Sequence, residues 1–324
     1  MSHVLVVGAG LAGLSCAHHL AREGHEVEVL EAAPRSGGQV RSERRDGVLL
    51  ERGARWFQRT PVVDEILKEA GLQDEVVTVP NHPRVWRPTG LSPGHEGAFP
   101  PPGEPAGVGF EDRVTLVRGS GALPRALAEP VTVRLGWPVE AVEADALGVR
   151  VRFVAPSGER SVRAEAAVLA VPRRTASALS REVAPATGGA TRAIVVHLVL
   201  PGLRLRGEEV RVAPDAGFDA AGWTVTAGES ASAVRIPLRA EAVSRWFDAP
   251  KDALAAHLVE ELARTTLGRL CPGWVRVDRF VLPAPEAPEA PVPGRRVLFA
   301  GGAGSVADAL ARGRRAARAV ASLS

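Results

Sequence analysis

The chain opens on an unbroken apolar run, Val4 to Val7, so His3–Val7 reads as a short strand buried on both faces. A helical pattern follows, with Leu14, Ala17 and Leu20 on one stripe and Gly24 as its stop. Residues 27–30 form a second valine-rich strand ending in Glu31. Thr60 and Pro61 fit the N-cap and N1 positions of a helix whose apolar face is Val62, Ile66 and Leu67. Residues 80–117 are a Pro/Gly-rich connector with strand-like pieces near Val85 and Trp86, and a turn at Gly119–Gly121 enters another helix. Short strands are expected at 131–133, 139–142, 149–154 and 166–171, the last closed by Pro172. The middle section carries alternating strands at 193–200, 209–212, 234–238 and 275–282, with a helix over 252–267. A Pro/Ala/Glu-rich linker at 283–293 returns the chain to a last strand, 297–300, a glycine turn and a helix over 306–322.

Composition narrows the function classes. At 324 residues, 45 % hydrophobic and 24 % charged, the chain has room for a core of one large or two interleaved domains. All but two of the 40 basic residues are arginine, and the net charge is only +3. The arginines are interleaved with acids, so the stripe that binds nucleic acid is missing. Cys16 and Cys271 lie far apart with no CxxC, so neither a disulfide nor a zinc site is expected, and a reducing cytoplasm fits. No stretch of 18 apolar residues predicts a membrane span, and no basic region precedes the first apolar run. His18, His19 and His25 read as helix-surface residues, and no metal site is expected.

Chemistry enters at Gly8-Ala9-Gly10-Leu11-Ala12-Gly13, a G-x-G-x-x-G between a strand and a helix. Gly8 permits the tight turn, Gly10 lets backbone approach a pyrophosphate, and Gly13 lets the helix lie close to the strand. The helix N-terminus offers unpaired N–H groups and a partial positive charge to phosphate. Glu31 stands about 20 residues on, with Ala32 beside it, where a carboxylate accepts ribose hydroxyls. This context makes the motif a dinucleotide-binding turn, without separating FAD from NAD.

The following residues do separate them. Ala33 to Val40, with Arg35, Gly37, Gly38 and Gln39, and then Gly53-Ala54-Arg55-Trp56, resemble the flavin-containing amine oxidase superfamily. The resemblance implies that the segment from Arg35 to Val40 touches the FAD pyrophosphate and that Ala54, Arg55 and Trp56 run beside the flavin. It implies that the strand at Val139 lies near the adenine. It also implies that Gly301 and Gly302, with Val306 and Ala307 opening the last helix, face the flavin and its ribityl arm. A second glycine turn nearly 300 residues from the first suits a two-armed FAD site. The implied fold is α/β: a Rossmann-like, glutathione-reductase-like three-layer FAD-binding domain (1–78, 118–182 and 284–324) with an interleaved sheet-based substrate or cap domain (79–117 and 183–283). The layout best resembles the short renalase-like branch, in which residues 80–117 replace a longer helical insertion.

Several departures bear on activity. The family usually has arginine where Gln39 stands, so pyrophosphate neutralisation is weaker here or passes to Arg41 or Arg35. Lys68 and Lys251 are badly placed to hold a water beside a flavin, there is no tyrosine for an amine cage, and Gly302 stands near the usual acid. The chain therefore does not read as a lysine-dependent amine oxidase. No catalytic residue is evident; Trp223 and His197 are the candidates for the pocket wall. The arginines of the last helix, Arg312, Arg314, Arg315 and Arg318, read as a solvated face. No cysteine or histidine stands where the family attaches flavin, so FAD is expected to be non-covalent. Three readings stay open: an FAD-dependent oxidase or dehydrogenase of a small organic molecule, reoxidised by O2; a flavoprotein subunit whose site a partner protein or a second copy closes; and a non-catalytic FAD binder.

Overall fold

The computed structural model describes residues 2–79, 83–94, 112–284, 286 and 294–323. Most of the 80–117 connector and of the 283–293 linker lie outside them. Five parallel strands, β1 (His3–Val7), β2 (Glu26–Glu31), β10 (Thr132–Leu135), β14 (Ala166–Leu169) and β20 (Val297–Phe299), form a sheet in the order β10-β2-β1-β14-β20. Their unbroken apolar runs are explained by burial on both faces. Val4, Val6, Val29 and Val168 pack against α1 (Leu11–Arg22), α3 (Ala122–Ala128) and α7 (Val306–Ala321). The alternate residues Leu5, Val7, Leu30, Ala167 and Leu169 pack the other way, onto a three-stranded antiparallel sheet and Ala176 of α4 (Arg173–Leu179). That sheet is β11 (Val139–Asp145), β12 (Gly148–Ala155) and β13 (Gly158–Ala164). Helices, parallel sheet and antiparallel sheet make three layers. β13 was not anticipated, because all but Val162 and Ala164 of its residues are exposed and polar or small, so no period-2 pattern marks it.

Residue Thr60 caps α2 (Pro61–Glu69) by accepting from the Val63 N–H at 3.3 Å. The buried face of α2 is Val63, Ile66 and Leu67; Val62 lies one position off the i, i+3, i+4 stripe. His18 and His19 correct the surface expectation: both are buried, because helices cover α1 on several sides. His19 Nδ1 lies 2.7 Å from the Ser15 carbonyl oxygen, and its Nε2 lies 3.3 Å from Glu69. Arg312 is also buried rather than solvated, with Nε on Asp308 and Nη1 donating to the Gly301 carbonyl at 2.9 Å.

Smaller elements flank this body. The hairpin of β3 (Ser42–Arg45) and β4 (Val48–Glu51) turns on Asp46 and Gly47, both at positive φ. β5 (Phe57–Gln58), β6 (Val76–Thr78) and β9 (Arg113–Leu116) form a short sheet. β9 thus pairs with strands of the nucleotide-binding side, although its residues were expected in the cap. The second large sheet runs β19 (Trp274–Pro283), β15 (Ala190–Pro201), β18 (Ala231–Pro237), β17 (Gly222–Ala227), β16 (Glu208–Val212), β7 (Arg84–Arg87) and β8 (Gly90–Pro93). One face, with Ile194, Val196, Trp223, Val234 and Ile236, buries against α5 (Ala240–Trp246) and α6 (Lys251–Ala263).

The opposite face meets the nucleotide-binding body through a polar seam. Arg52 is 6 % exposed; its Nε donates to Asp278 at 3.1 Å and its Nη1 to Glu43 at 3.1 Å. Arg55 donates to Glu209 at 2.5 Å, and Arg211 to the same carboxylate at 3.0 Å. Breaking such a buried pair strands a charge, whereas an exposed pair costs little. Arg52→Met is expected to lower the unfolding free energy by about 3–5 kcal/mol. Arg163→Met, which removes the exposed bridge to Asp145, should leave it nearly unchanged. Urea unfolding monitored by tryptophan fluorescence measures both.

Candidate functional site

Between the parallel sheet and the polar face of the second sheet lies a cavity of about 510 Å³. One end is built by the first glycine turn. Gly8 has φ +102°, and a Cβ there would lie 2.8 Å from the Ala170 carbonyl oxygen. A Cβ on Gly13 would lie 2.0 Å from the Gly8 carbonyl oxygen, so only glycine lets α1 approach β1 so closely. Gly10 has open space in front of it. The N-terminus of α1 has no side-chain cap and no acid in its first turn, so its orphan N–H groups remain for a ligand. Glu31 is held at the cavity edge: its carboxylate accepts from Ala9 N at 2.7 Å and Ala33 N at 2.8 Å.

Gly8, Gly10, Leu11, Ala12, Glu31, Gly37, Gly38, Gln39, Val40, Ala54, Arg55, Trp56, Gly301, Gly302 and Val306 all line this cavity. Residues from opposite ends of the chain thus meet in one place. Ala9, Gly13, Ala32, Arg35, Val139 and Ala307 are not among the lining residues. Ala9 and Gly13 act from beneath, through the contacts just given. Arg35 is exposed and donates to the Gly38 carbonyl at 3.0 Å, bracing the turn from outside. Arg41 pairs with Glu43 instead of entering the cavity. The second glycine turn is fixed by the hydrogen bond from buried Arg312, and a Cβ on Gly301 would lie 1.9 Å from the Val171 carbonyl oxygen. Ser305 and Asp308 cap α7 reciprocally, with Asp308 N donating to Ser305 Oγ at 3.1 Å and Gly304 N to Asp308 at 3.1 Å.

Neither pocket candidate lines the cavity. Trp223 pairs with Val210, so strand alternation turns its ring into the core under α6, 1 % exposed, and its Nε1 donates to Glu208 at 3.2 Å. His197 does face the nucleotide-binding body, but it lies buried in the polar seam, 3.7 Å from Asp278. Burial, with Arg235 nearby, pushes its pKa down to about 3, so it is neutral at physiological pH. Burial raises Asp278, but hydrogen bonds from Arg52 and Arg276 hold it below the usual carboxylate range. Arg55 and Arg211 likewise hold Glu209 down against burial.

Sequence reasoning missed much of the substrate-side wall, including Gln58, Ala193, Val195, Arg235, Pro237, Phe280 and Leu282. Strand registry could have found several, since Val195 pairs with Pro237, and Ala193 with Phe280, on one face. Trp56 is 7 % exposed, with the Arg113 guanidinium 4.1 Å from its ring centre. Lys68 and Lys251 are exposed and lie outside the wall. Away from the cavity, Asp219, His257 and Glu261 cluster, but Glu261 accepts from the Asp219 and Ala220 N–H groups, and Asp219 from Arg245 and Trp246. That cluster ties α6 to the loop before β17.

An open glycine cradle at an uncapped helix, a fixed carboxylate and a second glycine turn fit a dinucleotide with two arms. The chain belongs to the flavin-containing amine oxidoreductase family, whose model matches residues 11–109 and 107–321. The family is a flavin-containing one. An L-amino-acid oxidase of Bothrops pauloensis is 46 % identical over 74 residues, 22 % of this chain and 15 % of that protein. A coproporphyrinogen III oxidase of Staphylococcus aureus is 36 % identical over 78 residues, 23 % and 17 %. The chain therefore matches less than a fifth of these relatives' own length. Among solved structures, a putative protoporphyrinogen oxidase from Exiguobacterium matches 98 % of both chains at 16 % identity and a TM-score of 0.79. A cyclohexylamine oxidase from Brevibacterium oxydans matches 99 % of this chain and 98 % of its own at 14 % identity and a TM-score of 0.74. At such identities the likeness is one of fold. Among the described residues, no helix is long and apolar enough to cross a membrane.

His197 gives a pH test. Its folded pKa lies below its unfolded value, near 6.5, so its contribution is complete above about pH 6.5 and is lost as pH falls toward 3. Over pH 7 to 5 wild type is expected to lose about 2 kcal/mol more than His197→Gln. The carboxylates act alike in both proteins, and urea unfolding at stepped pH measures the difference.

Proposed function

We propose that this protein is an FAD-dependent oxidase or dehydrogenase that removes hydride from a small, flat organic substrate. Bound FAD supplies the hydride acceptor at N5, and O2 is the expected final acceptor. The N–H groups of Leu11 and Ala12 would hold the pyrophosphate, with Glu31 on the adenosine ribose and Gly301 and Gly302 along the flavin arm. Non-covalent attachment is supported by the absence of cysteine and histidine from the described wall.

The composition of that wall carries the reading of the substrate. Among the described residues its charged members are Glu31, Arg55 and Arg235, and none is a lysine, histidine, tyrosine or cysteine. An alkylammonium donor must lose a proton before hydride leaves, and the described residues of this wall place no base on the substrate side to take it. A dihydro-heterocycle, whose ring nitrogen already pushes out the hydride, needs none. Trp56, Val195, Pro237, Phe280 and Leu282 provide apolar surface to orient a flat ring and exclude water.

The test is anaerobic bleaching of the flavin band against dihydronicotinamides and their ring isomers, alkylamines, amino acids and porphyrinogens. A flat dihydro-heterocycle is expected to bleach the flavin fastest. Bleaching by alkylamines alone would overturn the substrate reading, and a flavin that no donor reduces would leave only a binding protein. Glu31→Gln should weaken FAD binding on the order of ten- to a hundredfold, read by flavin fluorescence.

A further inference from the structure

Outside the cavity wall, Asp219, His257 and Glu261 bring a ring nitrogen and two carboxylates within 4.8 Å of one another. His257 and Glu261 stand one turn apart on α6, an i, i+4 pair that shares a face. Asp219 comes from the loop before β17, so periodicity along α6 gives no sign of it. Its backbone is fixed on both sides: the N–H donates to Glu261 Oε1 at 2.6 Å, and the carbonyl accepts from Arg239 N at 2.8 Å. His257 Nε2 lies 2.9 Å from Asp219 Oδ2 and 3.3 Å from Glu261 Oε1. The atom is buried and close to both oxygens, yet it is aligned as a hydrogen bond with neither.

These separations suit a shared cation. Zinc–nitrogen and zinc–oxygen bonds of about 2.0–2.1 Å put neighbouring tetrahedral ligands about 3.3 Å apart. Both carboxylates are oriented by other donors: Asp219 accepts from Arg245 at 3.1 Å and Trp246 Nε1 at 2.7 Å, and Glu261 from Asp219 N and Ala220 N. A carboxylate oxygen has two lone pairs, so Asp219 Oδ2 and Glu261 Oε1 each keep one for a metal, and the donors then act as the outer partners that orient metal-bound carboxylates. Imidazole selects a transition metal over magnesium or calcium. We propose that Asp219 Oδ2, His257 Nε2 and Glu261 Oε1 form a site for zinc or a similar divalent transition-metal ion, with water as the fourth ligand. The His257 side chain is 33 % exposed, which gives the ion a way in. The ion staples α6 to the loop before β17 and takes no part in chemistry at the cavity.

The test uses the full chain, flavin-loaded and stripped of metal with a chelator, and titrates it with zinc by calorimetry. One zinc per chain is expected, bound at least about tenfold more tightly than magnesium. Zinc should also raise the melting temperature, because it binds only the folded chain. His257→Gln should lose both effects with its flavin band kept, and His25→Gln, outside the cluster, should keep both. Trp246 gives a readout that alters no ligand, since its ring centre lies 4.9 Å from that of His257. Copper(II) should quench tryptophan fluorescence in wild type, and Trp246→Phe should lose most of that quenching. This arm decides the matter if His257→Gln fails to fold. The proposal is overturned if wild type binds no zinc, if magnesium binds as tightly, or if folded His257→Gln binds zinc as wild type does. It is equally overturned if quenching by copper(II) survives Trp246→Phe undiminished.

Discussion

The rest of the structure depends on a close approach between a helix and the turn that precedes it. With any side chain on Gly13, Cβ would sit 2.0 Å from the Gly8 carbonyl oxygen, and α1 would have to tilt away from β1. That tilt would move the N–H groups of Leu11 and Ala12 off the cavity and loosen Ala9 N from Glu31. It would also disturb α7, whose Gly313 meets α1 as tightly: a Cβ there would lie 2.2 Å from the Ala12 carbonyl oxygen. The first and last helices therefore pack backbone to backbone, and this contact brings the two glycine turns, nearly 300 residues apart, to one cavity.

The second sheet closes that cavity through the parity of its strands. Residues of one parity, such as Trp223 and Ile236, face α5 and α6; those of the other face the cavity and the first sheet's body. The facing set divides into apolar positions over the cavity and charged ones in the seam, where Arg52 and Arg55 cross to Asp278 and Glu209. These pairs are costly to bury, and their value lies in fixing how the two sheets meet. The seam also consumes the side chains that might have served chemistry. His197 is neutral and enclosed, and Asp278 and Glu209 are locked on arginines.

The cofactor half was legible because its determinants are local. Gly8, Gly10, Gly13 and Glu31 sit within one strand–turn–helix–strand unit, and each spacing has its own steric reason. The three-layer body followed from resemblance, as did Gly37, Gly38, Gly301 and Gly302, which line the same cavity. The substrate side was not legible, because a residue's face there depends on strand registry. Trp223 and Thr224 are one position apart, and only the pairing of Thr224 with Arg235 shows which of them looks away from the cavity. Arg312 was misread for a similar reason: its carbonyl partner Gly301 lies in a turn whose position periodicity cannot give.

Two glycine turns that hold one FAD make a direct prediction for nucleotide titration of flavin-free protein. FAD is expected to bind one per chain, and FMN, which lacks the adenosine that Glu31 would hold, at least about tenfold more weakly. Equal affinity for FMN and FAD, or displacement of FAD by NAD, would contradict it.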